Sequence, residues 1–242
     1  LTGTLHGLLR VRHVTQDDAH IFCTADQIQD EIAAVVDYGR YLYELFGLTA
    51  SAELSTRPEN KLGSDEEWDM TEGALRVALE RNEIPYEIAE GEGAFYGPKI
   101  DLHMEDALGR KWQMGTIQLD SQMPARFGLT YMGPDNAEHP LYVVHRALYG
   151  SYERFIGILV EHYAGAFPVW LAPVQLRIIP VGEDHREAAR ALAEKLSDFR
   201  VEVDDSDETV GKRRRNADVE KMPYTIVYGD SAAEDADRVR EG

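Results

Sequence analysis

Residues 141–159 read LYVVHRALYGSYERFIGIL, and the way this stretch divides decides the fold. Leu141, Val143 and Val144 make a short apolar strand, Gly150 breaks it, and Tyr152, Phe155, Ile156, Leu159 and Val160 follow at helical spacing as the stripe of a buried helix. A strand hands over to a helix at the glycine. The strand carries an imidazole, His145. The helix carries Arg154, where a partly desolvated guanidinium can grip a phosphate with its fork of donors. Taken alone, an arginine on an amphipathic helix is equally compatible with a solvated or ion-paired side chain.

A second polar constellation lies near the start, in residues 10–20, RVRHVTQDDAH. If this segment is extended, period-2 geometry puts Arg10, Arg12, Val14, Gln16, Asp18 and His20 on one face. Such a face is far too polar for a core. It suits either an open sheet whose upper surface is a substrate site or the solvent-washed side of an antiparallel sheet.

The 242 residues suffice for one or two domains with a substantial core, and 43% hydrophobic with 29% charged residues is ordinary globular composition. No apolar run reaches the length of a membrane-spanning helix and no signal-peptide pattern opens the chain. Cys23 is the only cysteine, which excludes an intrachain disulfide and fits a reducing compartment. A formal charge of −19 argues against a nucleic-acid partner on global grounds. Binding depends on local potential, however, and Lys212, Arg213, Arg214 and Arg215 form a basic run that is either a contact surface or a solvated helix face.

Between these landmarks, Thr24 and Gln27 have the form of a capping box before a helix whose stripe is Ile28, Ile32, Val35, Leu42 and Leu45, stopping at Gly47. Residues 50–56 read as strand. Ser64 and Glu67 offer a second capping box, with Trp68, Leu75 and Leu79 inward behind it. Gly91, Gly93 and Gly97 mark a loop that either closes over a ligand or simply turns; no dinucleotide fingerprint surrounds them. Residues 99–106 and 110–119 form a hairpin turning at Ala107, Leu108 and Gly109, so the architecture is expected to be antiparallel. After an apolar stretch bracketed by Pro168 and Pro173, strands at 176–180, 200–204 and 224–228 alternate with helices at 185–198 and 212–220, the pattern of a small α/β domain.

Six strings in order, RVRHVTQDDAHIFC, LSTRPENKLGSDEEWD, GEGAFYGPKID, GTIQLD, VVHRALYGSYERFIGIL and FPVWLAPVQ, closely resemble the bacterial class II threonyl-tRNA synthetases. The resemblance covers nearly the whole chain, from the second half of the family's motif 2 onward. It implies an α+β fold, an antiparallel sheet flanked by helices, with the catalytic core over residues 1–172. An incomplete α/β anticodon-binding domain is implied over 173–242. It further implies that the upstream part of the core lies outside these residues and that this chain alone is inactive.

The activity so implied is adenylation of threonine by ATP with Mg2+, then transfer to threonine tRNA, in the cytoplasm and in a homodimeric full-length protein. Arg10 and Arg154 match the family's ATP-binding arginines, and Lys99 matches a lysine that reaches the phosphates or adenylate. Gln16, Asp18, Tyr96, Gln113, Gln118 and Ser151 match positions lining the threonine and adenylate pocket. His20 and His145 match two of three zinc ligands; the third is a cysteine upstream. Cys23 has odd parity relative to His20, which puts it on the opposite face. Two positions depart from the pattern: His13-Val14 stands where an aromatic platform for adenine is usual, and Gly229-Asp230-Ser231-Ala232 lacks a charge pair near the expected anticodon surface. A paralogue that keeps the fold as a binding module without aminoacylating is the competing reading.

Overall fold

The structure is a computed structural model and describes residues 5–231; of the C-terminal departure, Ala232 lies outside the described residues. The chain forms two compact units, Leu1–Leu159 and Val160–Gly242, with the division falling inside one helix.

The first unit is built on a six-stranded sheet. Its strands are β1 (Ala19–Cys23), β2 (Ser51–Ser55), β3 (Tyr86–Ala89), β4 (Lys99–Glu105), β5 (Lys111–Asp120) and, after a short helix α3 (Gln122–Arg126) and the small hairpin β6 (Thr130–Met132) and β7 (Glu138–Pro140), β8 (Tyr142–Ala147). The order across the sheet is β1-β8-β5-β4-β2-β3. All neighbours are antiparallel except β2 and β3. That edge pair corrects the purely antiparallel expectation: helix α2 (Asp65–Arg81) carries the chain back across the sheet between β2 and β3, and such a crossover sets the two strands parallel.

Two helices cover one face of the sheet, α2 and α1 (Ile28–Leu45). At α2 the predicted capping box is complete: Ser64 Oγ accepts from the Glu67 amide and the Glu67 carboxylate accepts from the Ser64 amide. Trp68, Leu75 and Leu79 are buried as expected, and truncating Leu75 to Ala removes contacts worth about 2–5 kcal/mol. At α1 only half the box forms. Gln27 Oε1 accepts from the Thr24 amide, while Thr24 Oγ1 turns to Asp26 and the helix begins at Ile28. Ile32, Val35 and Leu42 face inward, but Leu45 is exposed beside the turn at Gly47.

The strand-to-helix handover is as predicted. Gly150 takes φ +69°, and a Cβ there would overlap the Met114 carbonyl, so this turn admits only glycine. Helix α4 (Tyr152–His162) follows, its stripe narrower than its apolar content suggested: Phe155, Gly157, Ile158 and Leu159 are buried, whereas Tyr152, Ile156 and Val160 face outward.

The second unit is a three-stranded parallel sheet, β9 (Leu176–Pro180) between β10 (Val201–Val203) and β11 (Tyr224–Tyr228). A 3-10 turn (Glu183–His185) leads into α5 (Arg186–Lys195), and α6 (Val210–Val219) starts under the Thr209 hydroxyl, which accepts from the Lys212 amide. Ile178, Ala189 and Tyr228 form its core.

Candidate active site

The open face of the six-stranded sheet holds a cavity of about 500 Å3 lined by Val14, Gln16, Asp18, Tyr96, Gln113, Gln118, His145, Ser151 and Arg154 among others. Residues 11–18 reach this cavity without being a strand, which corrects the extended-ladder reading; the ladder starts at Ala19. The cause is where the segment's hydrogen bonds go. Thr15 spends its amide on the Glu153 carboxylate (3.0 Å) and its carbonyl on the Tyr152 amide (2.9 Å), at the start of α4. Asp17 accepts from the amides of Leu148 (2.8 Å) and Tyr149 (3.0 Å) in the β8–α4 turn. With Thr15 and Asp17 anchored on one side, the alternation survives and Val14, Gln16 and Asp18 face the cavity. The anchor is strongly acidic: the Ser151 hydroxyl and then the Thr15 amide hold the Glu153 carboxyl down to about 2.

Ser151 also accepts from the Arg154 amide and so caps the turn that carries this arginine. Arg154 donates from Nε to the Leu9 carbonyl (2.9 Å) and from Nη1 to the Gln113 carbonyl (2.7 Å). Burial and the nearby charge of Arg10 both push its pKa down. Arg10 itself does not line the cavity; its guanidinium lies 5.7 Å from the Trp112 ring. Lys99 is drawn sideways onto the buried Asp101, which also accepts from Gln113 Nε2 (2.7 Å) and Thr116 Oγ1.

His145 lines the cavity and His20 does not; the two are opposite each other in the β1–β8 register, their rings 4.5 Å apart and edge to face. Nε2 of His145 lies 3.3 Å from Oδ2 of Asp120, a buried carboxylate that also accepts the Gln122 and Met123 amides. Tyr96 donates to Gln118 Oε1 (2.8 Å), and its hydroxyl pKa is raised by burial and by the charges of Asp120 and Asp18. Cys23 is buried on the opposite face from His20, as its parity requires, and burial pushes its thiol up to about 11.

The paired imidazoles are donors of the kind zinc prefers. Among the described residues, no third His, Cys, Asp or Glu completes a set with them. The donors fit in kind and fall short in number, since a catalytic zinc takes three protein ligands. Asp120, Asp17 and Trp112 contact the residues around the cavity, and sequence reasoning missed all three. Asp120 had one available signal, its place two residues beyond Gln118 on the same face of β5.

Comparison with known proteins matches residues 2–163 to the tRNA synthetase class II core domain (G, H, P, S and T) and residues 175–240 to an anticodon binding domain. The threonine–tRNA ligase of Caldanaerobacter subterraneus subsp. tengcongensis is 55% identical over 237 residues, covering 97% of this chain and 37% of that protein. The threonine–tRNA ligase of Acetivibrio thermocellus is 56% identical over 238 residues, with the same coverage, 97% and 37%. Among solved structures, the RNA binding domain of threonyl-tRNA synthetase from Cryptosporidium parvum superposes with a TM-score of 0.91 at 40% identity, over 97% of this chain and 60% of that one. The chain thus spans 37% of the length of the curated relatives it matches. Among the described residues no helix is long and apolar enough to cross a membrane.

Proposed function

The chain belongs to the class II tRNA synthetase core family, and from that premise we propose that it carries the threonine-activating site of a cytoplasmic threonine–tRNA ligase, homodimeric at full length. In this assignment the synthetase core occupies residues 1–172 and the anticodon-binding domain residues 173–242. One observation carries the reading: a single cavity is lined by the Arg154 guanidinium, which is held by carbonyls, by His145, whose ring meets that of His20, and by the amides of Gln16, Gln113 and Gln118 and the carboxylate of Asp18.

That arrangement suits adenylation. A threonine carboxylate oxygen attacks the α-phosphorus of magnesium-bound ATP, the bond to the β-phosphate oxygen breaks, and pyrophosphate leaves with the electron pair. No protein nucleophile is needed, so alignment and charge stabilisation carry the rate. Arg154 and Arg10 balance the charge that gathers on the leaving pyrophosphate. Lys99, released from Asp101, adds to them. Asp18 accepts from the threonine ammonium or hydroxyl, while Gln16, Gln113, Gln118, Tyr96 and Ser151 fix the orientation. In the second step a tRNA ribose hydroxyl attacks the threonyl carbonyl carbon and AMP departs.

Zn2+ is the ion that His20 and His145 would hold, with a third donor from outside the described residues. When bound it supplies coordination of an amino group together with a hydroxyl, a pairing that valine lacks. Calorimetric titration of the chain with sulfamoyl-adenosine analogues of threonine, serine and valine tests the reading. The threonyl analogue should bind most tightly, and equal affinity for all three would overturn the threonine assignment. ATP–pyrophosphate exchange across the amino acids, on this chain and on an upstream-extended version, should respond to threonine in the longer one.

A further inference from the structure

The indole of Trp112 collects guanidiniums. Arg154 lies 5.2 Å from its ring centroid, Arg10 5.7 Å and Arg110 5.8 Å, all within cation–π range. The three are not equivalent. Arg110 is neutralised by the buried Asp106 carboxylate, which it meets through Nε at 2.5 Å. Among the described residues, the hydrogen bonds of the Arg154 guanidinium go to the carbonyls of Leu9 and Gln113, and its lowered pKa has burial and Arg10 as its causes. The indole is held from behind, its Nε1–H donating to Asp106 Oδ2 at 2.8 Å. Burial alone would raise the Asp106 carboxyl, but Trp112, the Arg110 side chain and the Arg110 and Leu108 amides outweigh it and keep it ionised.

An arginine that must grip a phosphate poses a design problem, because the usual means of ordering a guanidinium is a carboxylate and a carboxylate cancels the charge the phosphate needs. An aromatic face orders the cation without neutralising it. We propose that Trp112 is a positioning residue for Arg154 and Arg10: its indole, fixed by Asp106, holds both guanidiniums aimed at phosphate while leaving their charge uncompensated. The inference rests on the reading above that Arg154 binds the triphosphate, and it adds the device that keeps that arginine ready. It also accounts for the placement of Asp106, which neutralises Arg110 and anchors the indole through one oxygen while approaching neither phosphate-facing arginine.

The test keeps shape constant and changes only the ring's electrostatics. Trp112 is replaced site-specifically in the full 242-residue chain by mono-, di- and trifluorotryptophan, and inorganic tripolyphosphate binding is measured by calorimetry beside Trp112→Leu, Trp112→Phe and Arg154→Ala. Affinity should fall stepwise with each fluorine, about tenfold across the series and in Trp112→Leu, with Trp112→Phe recovering most of the loss. A flat fluorination series alongside a large Arg154→Ala loss overturns the role of Trp112 and leaves the phosphate reading intact. Tripolyphosphate binding that is absent, or unchanged by Arg154→Ala, overturns both.

Discussion

Two inward-lying arginines, one in each unit, show how differently the same side chain can be used. Arg177 in the second unit is 7% exposed at its side chain and is clasped by Glu202 (2.9 Å) and Glu220 (2.5 Å). Burial works against its cation, yet the two carboxylates outweigh it and its pKa lies above the ordinary arginine value. Arg154 in the first unit is held by carbonyls and an indole, and its pKa is pushed down. A compensated cation is scaffold. An uncompensated one, kept at the wall of a cavity, is an unsatisfied demand for an anion, and in the first unit Arg154 presents that demand beside His145, amides and the Asp18 carboxylate.

The sharpest way to break this contrast is to exchange the fates of the two residues. In a full-length protein, Arg154→Ala should slow adenylate formation by about 100-fold or more while tRNA binding stays nearly intact, because phosphate charge is stabilised there. Arg177→Met should leave adenylate formation within about threefold by the same reasoning. Pyrophosphate exchange and tRNA filter binding read both, and equal loss of the two functions in Arg154→Ala would make that residue structural.

Stability should move the other way. Arg177→Met strands two half-exposed carboxylates, a milder event than orphaning a buried charge, and should cost about 1–2 kcal/mol. A denaturant midpoint unchanged from the parent would show that the clasp contributes nothing.

A smaller effect is expected at the cavity rim. Val14 lines the site and is 49% exposed, so Val14→Phe supplies an aromatic platform and should tighten ATP binding about fivefold, with tripolyphosphate unaffected. Equal gains for both ligands would mean the ring acts on the phosphates and not the base.

The smallest expected effect is local and pH-driven. Glu153 is held at about 2 against its ordinary 4.5, so the contact between residues 11–18 and α4 is fully present above pH 4.5. It should be lost only as pH falls through about 2. The NMR shift of the Thr15 amide should titrate with that low midpoint and stop titrating in Glu153→Gln. A midpoint near 4.5 would show that the anchor is absent in solution.

Much of this was legible in the chain itself, for reasons that are local. Ser64 and Glu67 cap α2 because capping needs residues only three apart. Gly150 turns the chain between β8 and α4 because a positive φ suits glycine. Cys23 and His20 part company by strand parity alone. The ordered strings that mark the family likewise depend on identity and spacing, and they pointed to the class II core before any contact was known.

What the tertiary structure decided is everything set by partners far along the chain. Residues 11–18 keep their alternation without a ladder because Thr15 and Asp17 find donors and acceptors more than 130 residues away, at the β8–α4 junction. The register of β1 on β8 brings His20 opposite His145, and the turn after β5 brings Asp120 to the same imidazole. Period and composition left Arg154 open as either a solvated helix residue or a phosphate grip. Its surroundings are a matter of tertiary structure: carbonyls from Leu9 and Gln113 and the face of Trp112 leave its charge free, whereas carboxylates like those on Arg177 would have consumed it.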